Sequence, residues 1–344
     1  MAKQISTDLK FYYDEEIFDN VWQNEKDPTS TVLIESGVMV EDSNIARLIS
    51  NGSNYFSIPF YKDIEGEEVN YDGNTDIPAD DSESGIQSGV VYGRAKGWKS
   101  VTFVNDFTTA DPMRNILNRI QKWKAKKVQA RLIGILEAIF GVVGAEEYAG
   151  WENHKMDIAS AVANTVTDEN KIGLTTLRDL AVQANGDSAD DYALAIMHST
   201  VANRLSQFNV EFYFKYNATN GQELDVKVGR SGNMLVLICD EVPHAKNEET
   251  QLMEYTTYCF GKGALGHATA PVEKPTEVSR NASEKGGTDY LYTRYRETIH
   301  PYGFSFVMEN LPVSPTDAQL GDSKNWSIIT NPKNIAIAKL ITNG

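Results

Sequence analysis

The chain has 344 residues, 41% of them hydrophobic, with a formal net charge of −16, five histidines and two cysteines. That length allows a sizeable core in one large or two modest domains. Two cysteines exclude a disulfide-built scaffold, and the negative balance excludes the counterion-release affinity that duplex-DNA binders rely on. No run of 18 apolar residues occurs, so no membrane-spanning helix is expected, and the N-terminus lacks an apolar signal core, so the chain is expected to be made and kept in the cytoplasm.

Residues 1–50 carry Ile17, Phe18, Val21 and Trp22 at helical spacing for one or two turns, broken by Pro28, with a short apolar stretch from Val32 to Ile34. They read as an arm with local structure. Residues 51–107 read as an extended loop. In the first half Tyr55, Ser57 and Pro59 alternate with Phe56, Ile58 and Phe60, and Pro59 argues for an edge position. A polar, acidic stretch with turn chemistry follows, and then a β-branched and aromatic return strand containing Trp98, Val101 and Phe103. A two-stranded excursion of this kind has little core of its own and must pack on the rest of the chain or on a neighbour.

Residues 108–150 hold the clearest element. Asp111 as N-cap and Pro112 at the first helical position start a helix predicted over 112–140, with apolar residues every three or four positions from Met113 to Phe140. It carries the one basic block of an acidic chain: Arg114, Arg119, Lys122, Lys124, Lys126, Lys127 and Arg131, with no acidic residue among them. Such a block reads as a solvated helix face, as a contact for nucleic acid, or as a contact for acidic groups on an adjacent subunit.

From 151 to 285 helix and strand alternate. An amphipathic helix stops at Asn185–Gly186, and a buried strand around 190–198 feeds a helix capped by Ser199. Next comes an apolar strand ended by Pro243, then a further strand around 251–265 expected to run antiparallel beside it. Residues 286–344 add a long aromatic-rich strand interrupted by Pro301 and a last strand in the C-terminal tail.

Motifs that could carry chemistry lack their context. Gly261, Gly263 and Gly266 match a dinucleotide-loop spacing, but Pro271 and Pro275 leave no room for the helix it needs. Asp72, Asn74, Asp76, Asp80 and Glu83 fall at calcium-loop positions, yet Ile77 stands where the loop requires Gly. Cys239, Asp240, Glu241 and His244 are metal-ligand types without a second ligand pair. No catalytic residue, cofactor site or metal site is assigned, and both cysteines are expected to be buried thiols.

In order along the chain, the run from Leu33 through the Ile58-Pro59-Phe60 strand resembles the N-terminal arm and extended loop of major capsid proteins of tailed double-stranded-DNA bacteriophages. Residues 98–140 are similar to that family's loop return and long spine helix, and residues 199–266 to its axial domain. Residues 288–306, with arginines ahead of His300-Pro301-Tyr302-Gly303, resemble its returning strand. The resemblance implies the Hong Kong-type phage capsid fold, an α+β architecture. Its parts here would be an arm (1–50), an extended β-hairpin loop (51–107), a spine helix of a peripheral domain (108–150), an α/β axial domain (mainly 151–285) and returning strands of both domains (286–344). It implies a non-enzymatic shell subunit forming pentamers and hexamers around double-stranded DNA, with scaffolding, portal and decoration proteins as further partners and no membrane. Inter-subunit contacts are then expected at Tyr55, Phe56, Phe60, Trp98, Val101, Phe103, Lys122, Lys126 and Lys127. The alternatives are a shell protein of an encapsulin-like bacterial compartment, or a cytoplasmic calcium- or nucleotide-binding protein.

Overall fold

The computed structural model describes residues 37–50, 52–62, 68–72, 76, 83–102, 112–143, 149–208, 212–213, 216–217, 223–224, 228–231 and 233–344, with the side chains of 112–118, 121–122 and 212–228 excepted. The arm before residue 37, Phe103, Asp111, Asn74 and Asp80 lie outside them.

The first described elements are β1 (Met39–Glu41) and α1 (Ser43–Ser50). Asp42 starts the helix by accepting the backbone N–H groups of Asn44 (2.7 Å) and Ile45 (3.3 Å), as an N-cap carboxylate does. Ile45 and Ile49, one turn apart, are fully buried. The last part of the expected arm is thus stitched into its own chain.

Three strands follow: β2 (Tyr55–Tyr61), β3 (Ser84–Val90) and β4 (Tyr92–Val101). β2 and β3 pair with each other, antiparallel, from Tyr55 opposite Val90 to Tyr61 opposite Ser84. β4 leaves this hairpin and joins the main body. The long helix α2 runs Pro112–Phe140, the bounds its apolar spacing predicts, and is about 44 Å long at the usual rise per residue.

The remainder contributes α3 (Thr176–Asn185), β5 (Tyr192–Met197), α4 (Ser199–Ser206), β6 (Met234–Ile238), β7 (Met253–Gly261), β8 (Leu265–Ala270), β9 (Thr276–Asn281), β10 (Thr288–Pro301), β11 (Phe304–Phe306), α5 (Asp317–Leu320), β12 (Trp326–Ile328) and β13 (Ile337–Thr342). Gly186 closes α3 with a positive φ of 60°, which a Cβ would oppose.

An eight-stranded sheet is built around β13, β7, β5 and β6 in that order. β5 separates β6 from β7: β6 pairs parallel to β5, and β7 pairs antiparallel to it. The expectation that β6 and β7 lie side by side is therefore corrected. The crossover through α4 brings β6 back parallel on one flank of β5, and β7 takes the other. The hairpin partner of β7 across the polar turn is the short strand His244–Lys246. β6 also ends at Ile238, before Pro243.

The second sheet has β10 as its spine. On one flank lie β8 and then β9, and on the other β4 pairs over ten residues, from Tyr92 opposite Glu297 to Val101 opposite Thr288. β1 adds parallel to β8. The chain crosses between sheets at Gly261–Gly263, where Gly263 has φ +69° and no helix follows. Its backbone is tied on both sides, Gly261 N to Ala336 O (2.7 Å) and Gly263 N to Gly37 O (2.6 Å). These glycines serve a turn.

One apolar cluster joins the sheets. From α2 it takes Val128, Leu132, Ile135, Leu136, Ile139 and Phe140, and it meets Leu194 and Ile196, Tyr258 and Phe260, and Leu265, Ile299 and Phe304. Both cysteines are buried thiols, and burial pushes Cys259 up to about 12.

Candidate assembly surface

The β2–β3 hairpin has two different faces. On the inner one, Phe56 stands opposite Gly89 and Phe60 opposite Gly85. In each pair the ring lies over the glycine so closely that a Cβ there would fall 2.2 Å from the Phe56 ring or 2.5 Å from the Phe60 ring. The glycines of this strand are seats for aromatic rings. Phe56 also meets the His300 ring edge-on at 5.5 Å and joins Ile45, Ile49, Val91 and Ala268 in a buried cluster.

Polar bonds pin the same root to the body. The buried amide of Gln87 reaches His300 Nε2 at 2.6 Å, Ser88 N donates to Ser305 Oγ (3.0 Å), and Thr298 Oγ1 donates to Val90 O (2.8 Å). Arg296 Nη2 clasps the turn ahead of β2 through Ser53 O (3.0 Å) and Asn54 Oδ1 (2.5 Å). His300 is enclosed, and burial pushes its pKa down to about 4, so it is a neutral structural ring at ordinary pH.

The outer face is open, its exposed apolar side chains interspersed with the exposed Ser57 and Ser84. Tyr55 is 41% exposed, Ile86 64% and Tyr61 80%, with Pro59 exposed between them. Ile86 stands directly opposite Pro59. At the distal end Lys62 pairs with Glu83 at 3.0 Å, an exposed pair worth little to stability.

The expected contact residues therefore divide. Tyr55 is exposed and Phe60 half-buried. Phe56 is only 3% exposed and belongs to its own chain's core, so it is corrected: the even-numbered face packs inward because α1 and β8 cover it. Trp98 and Val101 are half-buried on β4, opposite Leu291 and Thr288, and Trp98 meets Trp123 of α2 edge-on at 5.3 Å. Tyr61 and Ile86 were not singled out from the sequence. Tyr61 could have been, since it extends the outward alternation of Tyr55, Ser57 and Pro59.

The basic block of α2 divides as well. Arg119, Lys126 and Lys127 are exposed, whereas Lys122 is described by backbone alone. Arg131 is buried, 4% exposed. Its Nη1 donates to Glu297 (2.9 Å) and its Nε to Asp317 (2.8 Å), while its guanidinium stacks over Tyr92 at 4.6 Å. Arg94 of β4 reaches the same Asp317 oxygen at 2.6 Å. Burial alone would raise the Asp317 carboxyl, but hydrogen bonds from Arg131 and Arg94 overcome this and hold it below its usual value. The cluster fixes α2 to β4, β10 and α5 at one point.

Among the described residues no group of three His, Cys, Asp or Glu side chains converges as a metal site, and no helix is long and apolar enough to cross a membrane. Of the calcium-loop positions only Asp72, Asp76 and Glu83 are described.

A long helix laid across two sheets, with a rooted hairpin projecting from one of them, is the architecture of phage capsid subunits. The capsid of Ralstonia phage GP4 is similar over 91% of this chain and 88% of that one, with a TM-score of 0.59 at 10% identity. The capsid of cyanophage Pam1 is similar over 90% and 89%, with a TM-score of 0.53 at 11% identity. In sequence, the major capsid protein of Bacillus phage SPP1 is 24% identical over 312 residues, 90% of each chain. The model of the Major capsid protein 13-like family matches residues 142–336, more than half of the chain, and the chain belongs to that family. It is a major capsid protein, a structural subunit of a phage head.

Proposed function

We propose that the chain self-assembles as pentamers and hexamers into a closed icosahedral shell around double-stranded DNA, acting as a structural unit without catalysis. Assembly takes place in the host cytoplasm, with scaffolding, portal and decoration proteins as further partners. The five-stranded sheet with α2 serves as the peripheral domain and the eight-stranded sheet as the axial domain.

The observation that carries this reading is the two-faced hairpin. Its inner face is sealed into its own chain, while Tyr55, Pro59, Tyr61 and Ile86 form an exposed apolar strip that water does not favour. Seated on an adjacent subunit, together with Trp98 and Val101, that strip becomes buried. Such contacts are individually small and add up around a closed shell. The exposed Lys126 and Lys127, with Lys122, meet acidic groups of an adjacent subunit, and contacts with packaged DNA are non-specific.

The test is expression of the full chain alone and together with a candidate scaffolding protein of its phage, followed by size-exclusion chromatography and negative-stain electron microscopy. Hollow particles, or rings of five or six, are the expected result. A monomer that stays inert with its scaffold overturns the reading.

A further inference from the structure

At the C-terminal ends of the parallel strands β5 and β6, side chains from four segments meet, away from the hairpin and from α2. His198 is the N-cap of α4, and its Nδ1 accepts the backbone N–H of Thr200 at 3.1 Å. Asp240, just after β6, accepts the N–H of Ser199 at 3.1 Å and stands 3.7 Å from His198 Nε2. From the strand His244–Lys246 comes His244, its ring 4.8 Å from that of His198. Tyr255 of β7 lies 4.9 Å from His198 on a further side.

The hydrogen bonds fix the proton positions. A backbone N–H only donates, so Nδ1 of His198 carries no proton, and the ring hydrogen sits on Nε2, facing Asp240. His244 Nδ1 lies 3.0 Å from the carbonyl of Val242, so that nitrogen is the protonated one. Acidification then acts in three ways at one place. A proton on His198 Nδ1 removes the cap, puts a positive charge at the positive end of a helix, and sets that charge beside the His244 ring.

We propose that His198, His244 and Asp240 form an acid-sensitive clasp: neutral, it holds the first turn of α4 to the end of the eight-stranded sheet, and protonated, it lets that turn go. Burial holds His198 below its ordinary value; Asp240 pulls the other way and His244 adds to the depression. The folded chain therefore binds fewer protons here than the unfolded one. The clasp's contribution is complete above the ordinary imidazole value of 6.5 and is lost as pH falls below it. Elsewhere α4 is held by other contacts: Arg204 pairs with Asp168 at 3.1 Å near its C-terminus, and Val201, Ala202 and Leu205 are buried. Release is thus confined to the N-terminal turn.

The test follows the histidine ring signals of the purified full chain by NMR from pH 8 to 4.5, alongside amide hydrogen exchange over residues 198–206, corrected for intrinsic exchange. The expected result is a His198 midpoint below 6.5, with protection of the 199–203 amides falling at least tenfold as His198 titrates. His198→Asn keeps a capping oxygen but cannot titrate, so its protection should not change with pH. His244→Asn should raise the His198 midpoint. A His198 midpoint at or above 6.5, or a His198→Asn chain that loses protection over the same range, overturns the clasp. If His198→Asn does not fold, the wild-type midpoint and its shift in His244→Asn decide the matter alone.

Discussion

Two antiparallel ribbons leave this chain, one beginning at Tyr55 and one at Tyr92, and they solve the same problem differently. Both are rich in aromatic residues and glycine, and both seat rings over glycines: Phe56 over Gly89 in the first, Tyr292 over Gly97 in the second. The β4–β10 ribbon lies within a five-stranded sheet of its own chain. Among the described residues the β2–β3 ribbon has only itself as a sheet partner, and one of its faces is left outside. A strand pair without a sheet survives here because its root is locked by Phe56, Gln87 and Arg296. That lock frees the outer face to serve something other than stability.

The largest expected effects break the second ribbon's attachment to α2 or the first ribbon's root. Glu297→Gln leaves the buried Arg131 short of a counter-charge and should cost about 3–5 kcal/mol, read as a loss in the urea midpoint. Phe56→Ala should cost about 3–5 kcal/mol by emptying the cluster under the hairpin. Both changes should lower stability before any question of assembly arises. Gly89→Ala should cost about 1–3 kcal/mol, because the Phe56 ring must leave its seat. A Gly89→Ala chain as stable as the wild type would mean that the ring relocates freely.

Acid should separate the two attachments. His300, neutral and enclosed at the hairpin root, stabilises fully above 6.5, and this is lost as pH falls towards about 4. Asp317 is depressed below its ordinary 3.8, so its share is present above that value and is lost only as pH falls further. Thermal melts against pH should therefore show a first decline between 6.5 and 4, reduced in His300→Gln, and a second below 3.8. A single decline confined below 3.8 would contradict the role given to His300.

The smallest effect on the isolated chain should come from Lys126→Glu with Lys127→Glu. Exposed charges of this kind change stability by less than about 0.5 kcal/mol. Assembly should weaken, and more so at low salt than at high salt, because screening hides charge contacts. Equal weakening at every salt concentration would argue against an electrostatic contact.

Much of this was legible in the residues. The bounds of α2, the alternation of β2, the stop at Asn185–Gly186 and the turn at Gly261–Gly263 follow from apolar spacing, from Pro112 at the helix start and from glycine. Arg131 was not, because its partners are Glu297 and Asp317, 166 and 186 residues away, and within the helix it looks like its neighbour lysines. The insertion of β5 between β6 and β7 was hidden for the same reason: strand order is set by a crossover, not by local pattern. Ser199 looked like the cap of α4, whereas the structure gives that place to His198, a residue with no strong capping preference. The outer strip was half visible, since Tyr61 continues the Tyr55 face, while Ile86 is brought opposite Pro59 only by the pairing register.

The most direct measurement is negative-stain electron microscopy and melting of the Tyr61→Ser, Ile86→Ser double variant, produced with its scaffold in parallel with the wild type. The strip's role in assembly predicts an unchanged melting temperature and no closed shells. Closed shells indistinguishable from wild type, or a chain that no longer folds, would contradict it.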